Sequence, residues 1–257
     1  MSGAVLFERV GDHVALVTLN RPEALNAMSI ALMRELSAAY ECIEKEKSIR
    51  CAVLASSGPR AFCAGADLKE AAQGLHAEMH MAARGIDPFL RKQGRKPWIA
   101  AVAALAYGGG FELALSCDMI VAGEGARFAL PEVKRGLMAT AGGVTHLPLA
   151  VPRAIAMEII TTGEPVGAKR AYEIGLVNRV VPDADVVKEA LALAGVIAEN
   201  APFSVQESTV IARVSASETH EQAQVLSEAA RMAIRVHPDA LEGPRAFVEK
   251  RKPNWSG

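Results

Sequence analysis

The sequence predicts an α/β fold that gives way to helices in its last third. Three observations predict it: short apolar runs alternating with helical patterns in the first half, glycine turns at the junctions, and few strand signals after Gly142. At 257 residues the chain exceeds the roughly 100–200 residues of a usual domain. We therefore expect one α/β core over residues 1–195 and a helical region over residues 196–257.

The alternation Val14-Ala15-Leu16-Val17-Thr18-Leu19, between Gly11-Asp12 and Asn20-Arg21-Pro22, predicts a strand leaving a turn. Ser29 has the chemistry of an N-cap, and Leu32, Leu36, Ala39, Tyr40 and Ile43 then recur on one face of a helix reaching about Lys47. Cys51 to Ser56 is a short apolar run, read as a buried strand that ends in Ser57-Gly58-Pro59. Strand, helix, strand implies parallel pairing. Residues 68–97 are broken by Gly74, Gly85, Pro88 and Gly94 and fit a mobile flap or a plain surface connection equally well. Trp98 to Ala103 is the next strand, Gly109 to Ser116 a short helix, and Asp118 to Ala122 a further strand. After Gly142 helical patterns follow one another, with breaks at Pro152, Gly163 to Gly167 and Pro182. No fixed-period repeat and no linker divides the chain.

Twenty-eight Lys and Arg against 29 Asp and Glu leave a net charge of −1, and aromatics reach 5%. Neither a basic stripe nor interleaved aromatics argues for nucleic acid, and no global field draws the chain to an anionic membrane. Trp98 to Cys117 is long enough to span a bilayer but holds a glycine triplet and Glu112, which suits a buried strand and helix better. The N-terminus lacks the pattern of a signal peptide, and Cys42, Cys51, Cys63 and Cys117 match neither a CxxC motif nor a disulfide framework, so we expect a cytoplasmic protein with reduced thiols. His76 and His80 flank Glu78 at helical spacing, but the glutamate is misplaced for HExxH and no third ligand is evident, so we expect no metal.

Two loops place small residues before a helical pattern, where unpaired backbone N–H groups can face a ligand: Cys63-Ala64-Gly65-Ala66-Asp67 and Tyr107-Gly108-Gly109-Gly110-Phe111-Glu112. They could stabilise the enolate oxygen formed when a thioester carbonyl takes up charge, or simply permit tight turns. Glu112 and Glu132 each lie in or beside an apolar stretch. Such carboxylates are paired in structural salt bridges or serve chemistry; facing one cavity, they would include one of raised pKa and form an acid/base pair.

The stretches RPEALNAMS (21–29), AFCAGADLKE (61–70), GGGFELALSCD (108–118), FALPEVKRG (128–136) and GPRAFVEKRKP (243–253) resemble, in order and spacing, the crotonase or enoyl-CoA hydratase superfamily. The resemblance implies a crotonase-like ββα superhelix with a C-terminal helical trimerisation region, and hydration of a 2-enoyl-CoA to a 3-hydroxyacyl-CoA. It implies Ala66 and Gly109 as oxyanion donors, Glu112 as the residue that deprotonates water, and Glu132 as proton donor to Cα. Coenzyme A would be held by Glu23, Ala24, Leu25, Ala64, Asp67, Leu68, Lys69 and Gly110, with Phe247 and Lys250 reaching it from a neighbouring subunit of a homotrimer or dimer of trimers. No metal or redox cofactor is implied.

Leu130, Phe111 and the run Met138 to Val144 depart from common hydratase patterns beside the expected acyl pocket. GGGFELAL with FALPE is closer to the carnitinyl-CoA dehydratase branch, although no aromatic cage for a quaternary ammonium is evident. An enoyl-CoA isomerase is a further alternative, disfavoured by the presence of both glutamates. A CoA-binding or RNA-binding scaffold is the non-enzymatic one. For His146 we expect a packing role.

Overall fold

The computed structural model describes residues 3–256. Val5–Val10 (β1) and Val14–Leu19 (β2) form an antiparallel hairpin that turns at Gly11, whose φ of 61° suits glycine. β1 goes beyond the sequence expectation. It is an edge strand with four of six residues exposed, so it shows no buried alternation. Ile30–Lys45 (α1) starts where Ser29 Oγ accepts the Leu32 N–H at 3.1 Å, and Leu32, Leu36, Ala39, Tyr40 and Ile43 are all buried, as the spacing predicts. Cys51–Ser56 (β3) pairs parallel with β2.

From here the chain repeats one unit: a strand of a large sheet, a three-residue strand of a small sheet, then helix. Cys51–Ser56 leads to Ala61–Cys63 (β4), Leu68–Ala72 (α2) and His76–Leu90 (α3). Trp98–Val102 (β5) leads to Leu105–Tyr107 (β6) and Gly109–Ser116 (α4). Met119–Gly123 (β7) leads to Arg127–Ala129 (β8), a 3-10 turn over Pro131–Arg135, Gly143–Ala150 (α5) and Arg153–Thr162 (α6). With Val166–Gly167 (β9), Ala168–Glu173 (α7) and Arg179–Val181 (β10), the sheets order as β1-β2-β3-β5-β7-β10 and β4-β6-β8-β9. Each unit adds one strand to both sheets, which is a ββα superhelix. The small sheet escaped the sequence because three residues are too few to show a period.

Val186–Ala198 (α8) lies across the large sheet and runs past the expected boundary at residue 195; its Val186, Ala190, Ala194 and Ala198 meet Val53, Ile99 and Val121. Pro202–Ser215 (α9), His220–Val236 (α10) and Asp239–Glu249 (α11) complete the helical third. Arg213 on α9 ties it to the core. Its Nε and Nη2 donate to the two Asp118 oxygens at 2.7 Å each, and its other N–H groups reach the carbonyls of Lys92, Gly94 and Lys96. Removing one partner of such a half-desolvated pair typically costs about 3–5 kcal/mol. Arg213→Ala should therefore lower the denaturant midpoint sharply while leaving the slope of the transition unchanged.

Residues 68–97 are mostly helical where the sequence reading expected an irregular stretch. They form α2 and α3, with Ala82, Ile86, Phe89 and Leu90 buried against α1 and Trp98. Gly85 acts as a contact point instead of a breaker: Ser37 Oγ donates to its carbonyl at 2.7 Å, and a side chain there would press on Ser37. Among the described residues no helix is long and apolar enough to cross a membrane.

Candidate active site

In the small sheet β4, β6 and β8 run parallel, with Cys63 opposite Ala106 and Tyr107 opposite Ala129. Their C-terminal ends lie side by side, so the segments that follow them, 64–67, 108–109 and 130–132, emerge together. Ligand sites in parallel sheets form beyond this end of the strands. Gly108 N–H donates to the Ala129 carbonyl at 2.9 Å and locks the second segment to the third.

Glycine lets the first two segments touch. Gly65 (φ 95°) and Gly108 (φ 54°) both sit where side chains are strained. A Cβ on Gly65 would stand 3.0 Å from the Tyr107 carbonyl oxygen, and one on Gly109 would stand 3.9 Å from the Ala66 nitrogen. Among the described residues, neither Ala66 N–H nor Gly109 N–H has a protein acceptor. Ala66 is spared because its bridge to Met28 uses the flanking groups, Met28 N–H to the Gly65 carbonyl (2.8 Å) and Asp67 N–H to the Met28 carbonyl (3.3 Å). Gly109 is spared because it is the first residue of α4. Two neighbouring unpaired donors can stabilise a developing oxyanion.

Glu112, in the first turn of α4, is only 4% exposed, and its Oε1 accepts the Gly143 N–H at 2.9 Å. Burial raises its pKa, the Gly143 N–H opposes the shift, and the charge of Glu132 raises it further. Glu132 follows β8 in the 3-10 turn. Its Oε1 lies against Gly108, where a Cβ would be 2.9 Å away, and its Oε2 is buried without a hydrogen-bond partner among the described residues. Burial raises its pKa too. The two expected carboxylates thus lie on either side of the donor loops, close enough for the charge of Glu132 to bear on Glu112.

The raised pKa of Glu112 has a consequence for stability. The folded protein holds this proton to higher pH than the unfolded chain, so its contribution is complete below the ordinary 4.5 and is lost as pH rises through the folded-state value. Gln keeps an acceptor for Gly143 and has no charge to bury. Glu112→Gln should therefore melt above the wild type at pH 8, and scanning calorimetry should show the difference shrinking towards pH 4.5.

The other expected residues divide. Glu23 and Ala24 form a 3-10 turn, and Leu25 (φ 53°) accepts the Ala64 N–H on its carbonyl at 3.1 Å, so this turn borders the first donor loop. Ala64, Leu68 and Lys69 are exposed on that loop. Asp67 turns inward: Oδ1 caps α2 through the Lys69 N–H (3.1 Å) and Oδ2 accepts from Arg21 (2.9 Å). Burial pushes its pKa up, but Arg21 and the backbone donors outweigh this and hold the carboxyl below the usual range. Gly110 backs onto β4, since a Cβ there would lie 2.0 Å from the Cys63 carbonyl oxygen. Phe247 is 85% exposed on α11, which packs on α10, and no hydrogen bond or ion pair joins Lys250 to the site within the protomer among the described residues.

Of the positions that depart from common patterns, Phe111 and Leu130 are buried in the core. Phe111 is fully buried against Phe128, with ring centroids 5.3 Å apart. Leu130 packs behind Gly143, where a Cβ would meet its methyls at 3.1 Å. The His146 ring lies on Gly142, and burial first, then Lys92, pushes its pKa down to about 4. Cys63, beneath the site, is buried and its thiol is pushed up to about 12, which leaves it unreactive. Gly143, which donates to Glu112, and Met28, which lies on Gly109, were not among the expected site residues. Gly142-Gly143 ahead of a helical pattern was a signal for the first, while no local signal pointed to the second.

Residues 9–257 match the family model described as Enoyl-CoA hydratase/isomerase. The chain belongs to this family. It is a hydratase, a hydro-lyase. It is 40% identical over 256 residues to the mevalonyl-coenzyme A hydratase of Beauveria bassiana, covering 95% of this chain and 91% of the other. It is 38% identical over 248 residues to the carnitinyl-CoA dehydratase of Proteus mirabilis, covering 94% of each. The crystal structure of enoyl-CoA hydratase from Bacillus anthracis superposes with a TM-score of 0.94 at 34% identity, over 99% of both chains.

Proposed function

We propose that this hydratase adds water across the double bond of a 2-enoyl-CoA with an apolar acyl group, giving a 3-hydroxyacyl-CoA, and runs the same steps backward. The observation that carries this reading is the placement of two carboxyls of raised pKa around the unpaired Ala66 and Gly109 donors. The donors polarise the thioester carbonyl and so open Cβ to attack. Glu112, whose ionised form is favoured by the Gly143 N–H, takes the proton from water; Glu132, whose Oε2 has no donor, delivers a proton to Cα. The exposed small-residue loop around Ala64 to Lys69 and the Glu23-Leu25 turn hold coenzyme A, and no metal or redox group takes part. Asp67 acts indirectly, through Arg21.

An apolar acyl group is supported by the surroundings of Glu112. Ala139 and Leu130 pack around Gly143, the residue that donates to it, and Phe62, Phe111 and Phe128 are wholly buried, leaving Tyr107 as the aromatic beside the glycine triplet. No cage for a quaternary ammonium is formed by these residues. Turnover should be measured on crotonyl-CoA, longer enoyl-CoAs, a mevalonyl-type and a carnitinyl-type substrate without added cofactor. Activity on the last alone would overturn the apolar assignment, and activity on none would overturn the hydration reading.

We further propose a homotrimer or dimer of trimers. Its support is the exposed apolar run on α10 and α11, including Val236 (85%), Leu241 (80%) and Phe247 (85%), which a neighbouring subunit would cover. Phe247 and Lys250 would then reach coenzyme A in the neighbour. Light scattering that shows a monomer would refute this.

A further inference from the structure

The donor loops after β4 and β6 are distant in sequence and must be held at one separation for both N–H groups to meet one oxygen. Met28 touches both. Its main chain is bonded on either side of Ala66, at 2.8 and 3.3 Å, and its Sδ lies on Gly109, 2.7 Å from where a Cβ would stand. It is 7% exposed and belongs to the main core. Its own position is fixed by the residue two before it. Asn26 is fully buried at φ 52°, accepts the Arg21 N–H on Oδ1 (2.7 Å), and donates from Nδ2 to the carbonyls of Ser57 (2.9 Å) and Ala61 (3.0 Å). Arg21 in turn donates to the Ala27 carbonyl and to Asp67, on the far side of Ala66.

We infer that Met28 is a positioning residue of the reaction: its backbone orients the Ala66 N–H while its thioether fixes where the Gly109 N–H stands, so that one residue sets the spacing of the oxyanion site. The inference rests on the proposed donor roles of Ala66 and Gly109. A hole that is loose by a fraction of an ångström still binds ligand but stabilises charge poorly. Met28 should therefore act on turnover more than on ground-state affinity.

The test compares Met28→Ala, Met28→Val and Met28→Leu with the wild type. Val keeps bulk near the main chain but has no atom at the Sδ position, so it serves if the Ala variant does not fold; Leu refills the space. Three quantities are read: kcat and KM on an enoyl-CoA, the affinity for saturated butyryl-CoA, and the amount of acetoacetyl-CoA bound as its enolate, seen by near-ultraviolet absorbance. Ala and Val are expected to lower kcat and enolate binding about 10- to 100-fold, with butyryl-CoA affinity within about twofold, and Leu to restore most of both. Unchanged kcat and enolate binding in a folded Ala or Val variant would overturn the inference. So would an equal loss of butyryl-CoA affinity, or a Leu variant as impaired as Ala. If the wild type turns over no enoyl-CoA yet enriches the enolate, the hydration reading fails while the enolate measurement still decides the role of Met28.

Discussion

Glu112→Gln and Glu132→Gln should each lower kcat for enoyl-CoA hydration by about 10²–10⁴-fold, the usual range for loss of a positioned acid or base. Glutamine preserves the geometry that the structure shows. At position 112 the amide oxygen can still accept the Gly143 N–H, and at position 132 the side chain can still lie against Gly108. What is lost is the ability to exchange a proton, so KM and coenzyme A affinity should change little. The two losses should differ in one respect. In deuterated water the residual product of either variant should carry deuterium at Cα, but α-proton exchange of a saturated acyl-CoA should fail in Glu132→Gln and survive in Glu112→Gln. Since both pKa values are raised by burial, the wild-type pH profile should be bell-shaped, and each variant should lose one limb. Full activity in both variants would remove the pair from the mechanism.

Gly110→Ala should be the most damaging single methyl. A Cβ at this position would stand 2.0 Å from the Cys63 carbonyl oxygen, 2.6 Å from its carbonyl carbon and 2.8 Å from its Cβ. Two of these atoms are backbone of β4, so no flexible side chain can give way. Either α4 lifts from the small sheet or β4 bends, and both movements separate the donor loops. Overpacking of this kind costs about 1–3 kcal/mol or more, which for a chain of this size lowers Tm by about 2–4 °C per kcal/mol. Activity should be nearly abolished even in the folded fraction. Gly195→Ala provides the contrast: it lies in α8 with nothing within 4 Å of its added methyl, and should stabilise by about 0.5–1 kcal/mol with kcat unchanged. Melting and kinetics on the two variants together separate a general intolerance of glycine substitution from the specific contact at Cys63.

Some of this was legible along the chain and some was not. The face of α1, the strand at Cys51–Ser56 and the helix at Gly109–Ser116 all follow from local periodicity and capping, and the structure places them as expected. The N-terminal strand did not show itself, because an exposed edge imposes no alternation. Gly85 and Pro88 looked like breaks in a loop, yet both lie within α3, where close packing on α1 outweighs their poor helix propensity.

By itself the sequence determined the residue types of the site: two carboxylates in apolar stretches, two loops of small residues, and an order of motifs that resembles one superfamily. The tertiary structure decided which of these groups meet. The parallel neighbourhood of β4, β6 and β8 brings Ala66, Gly109 and Glu132 together, and α5 brings Gly143 to Glu112. It also turned Asp67 inward to Arg21 and laid Met28 on Gly109. The physical reason is one of range. Periodicity reports how one element meets its surroundings, whereas the spacing of an oxyanion site is set by hydrogen bonds and contacts between segments far apart in the chain.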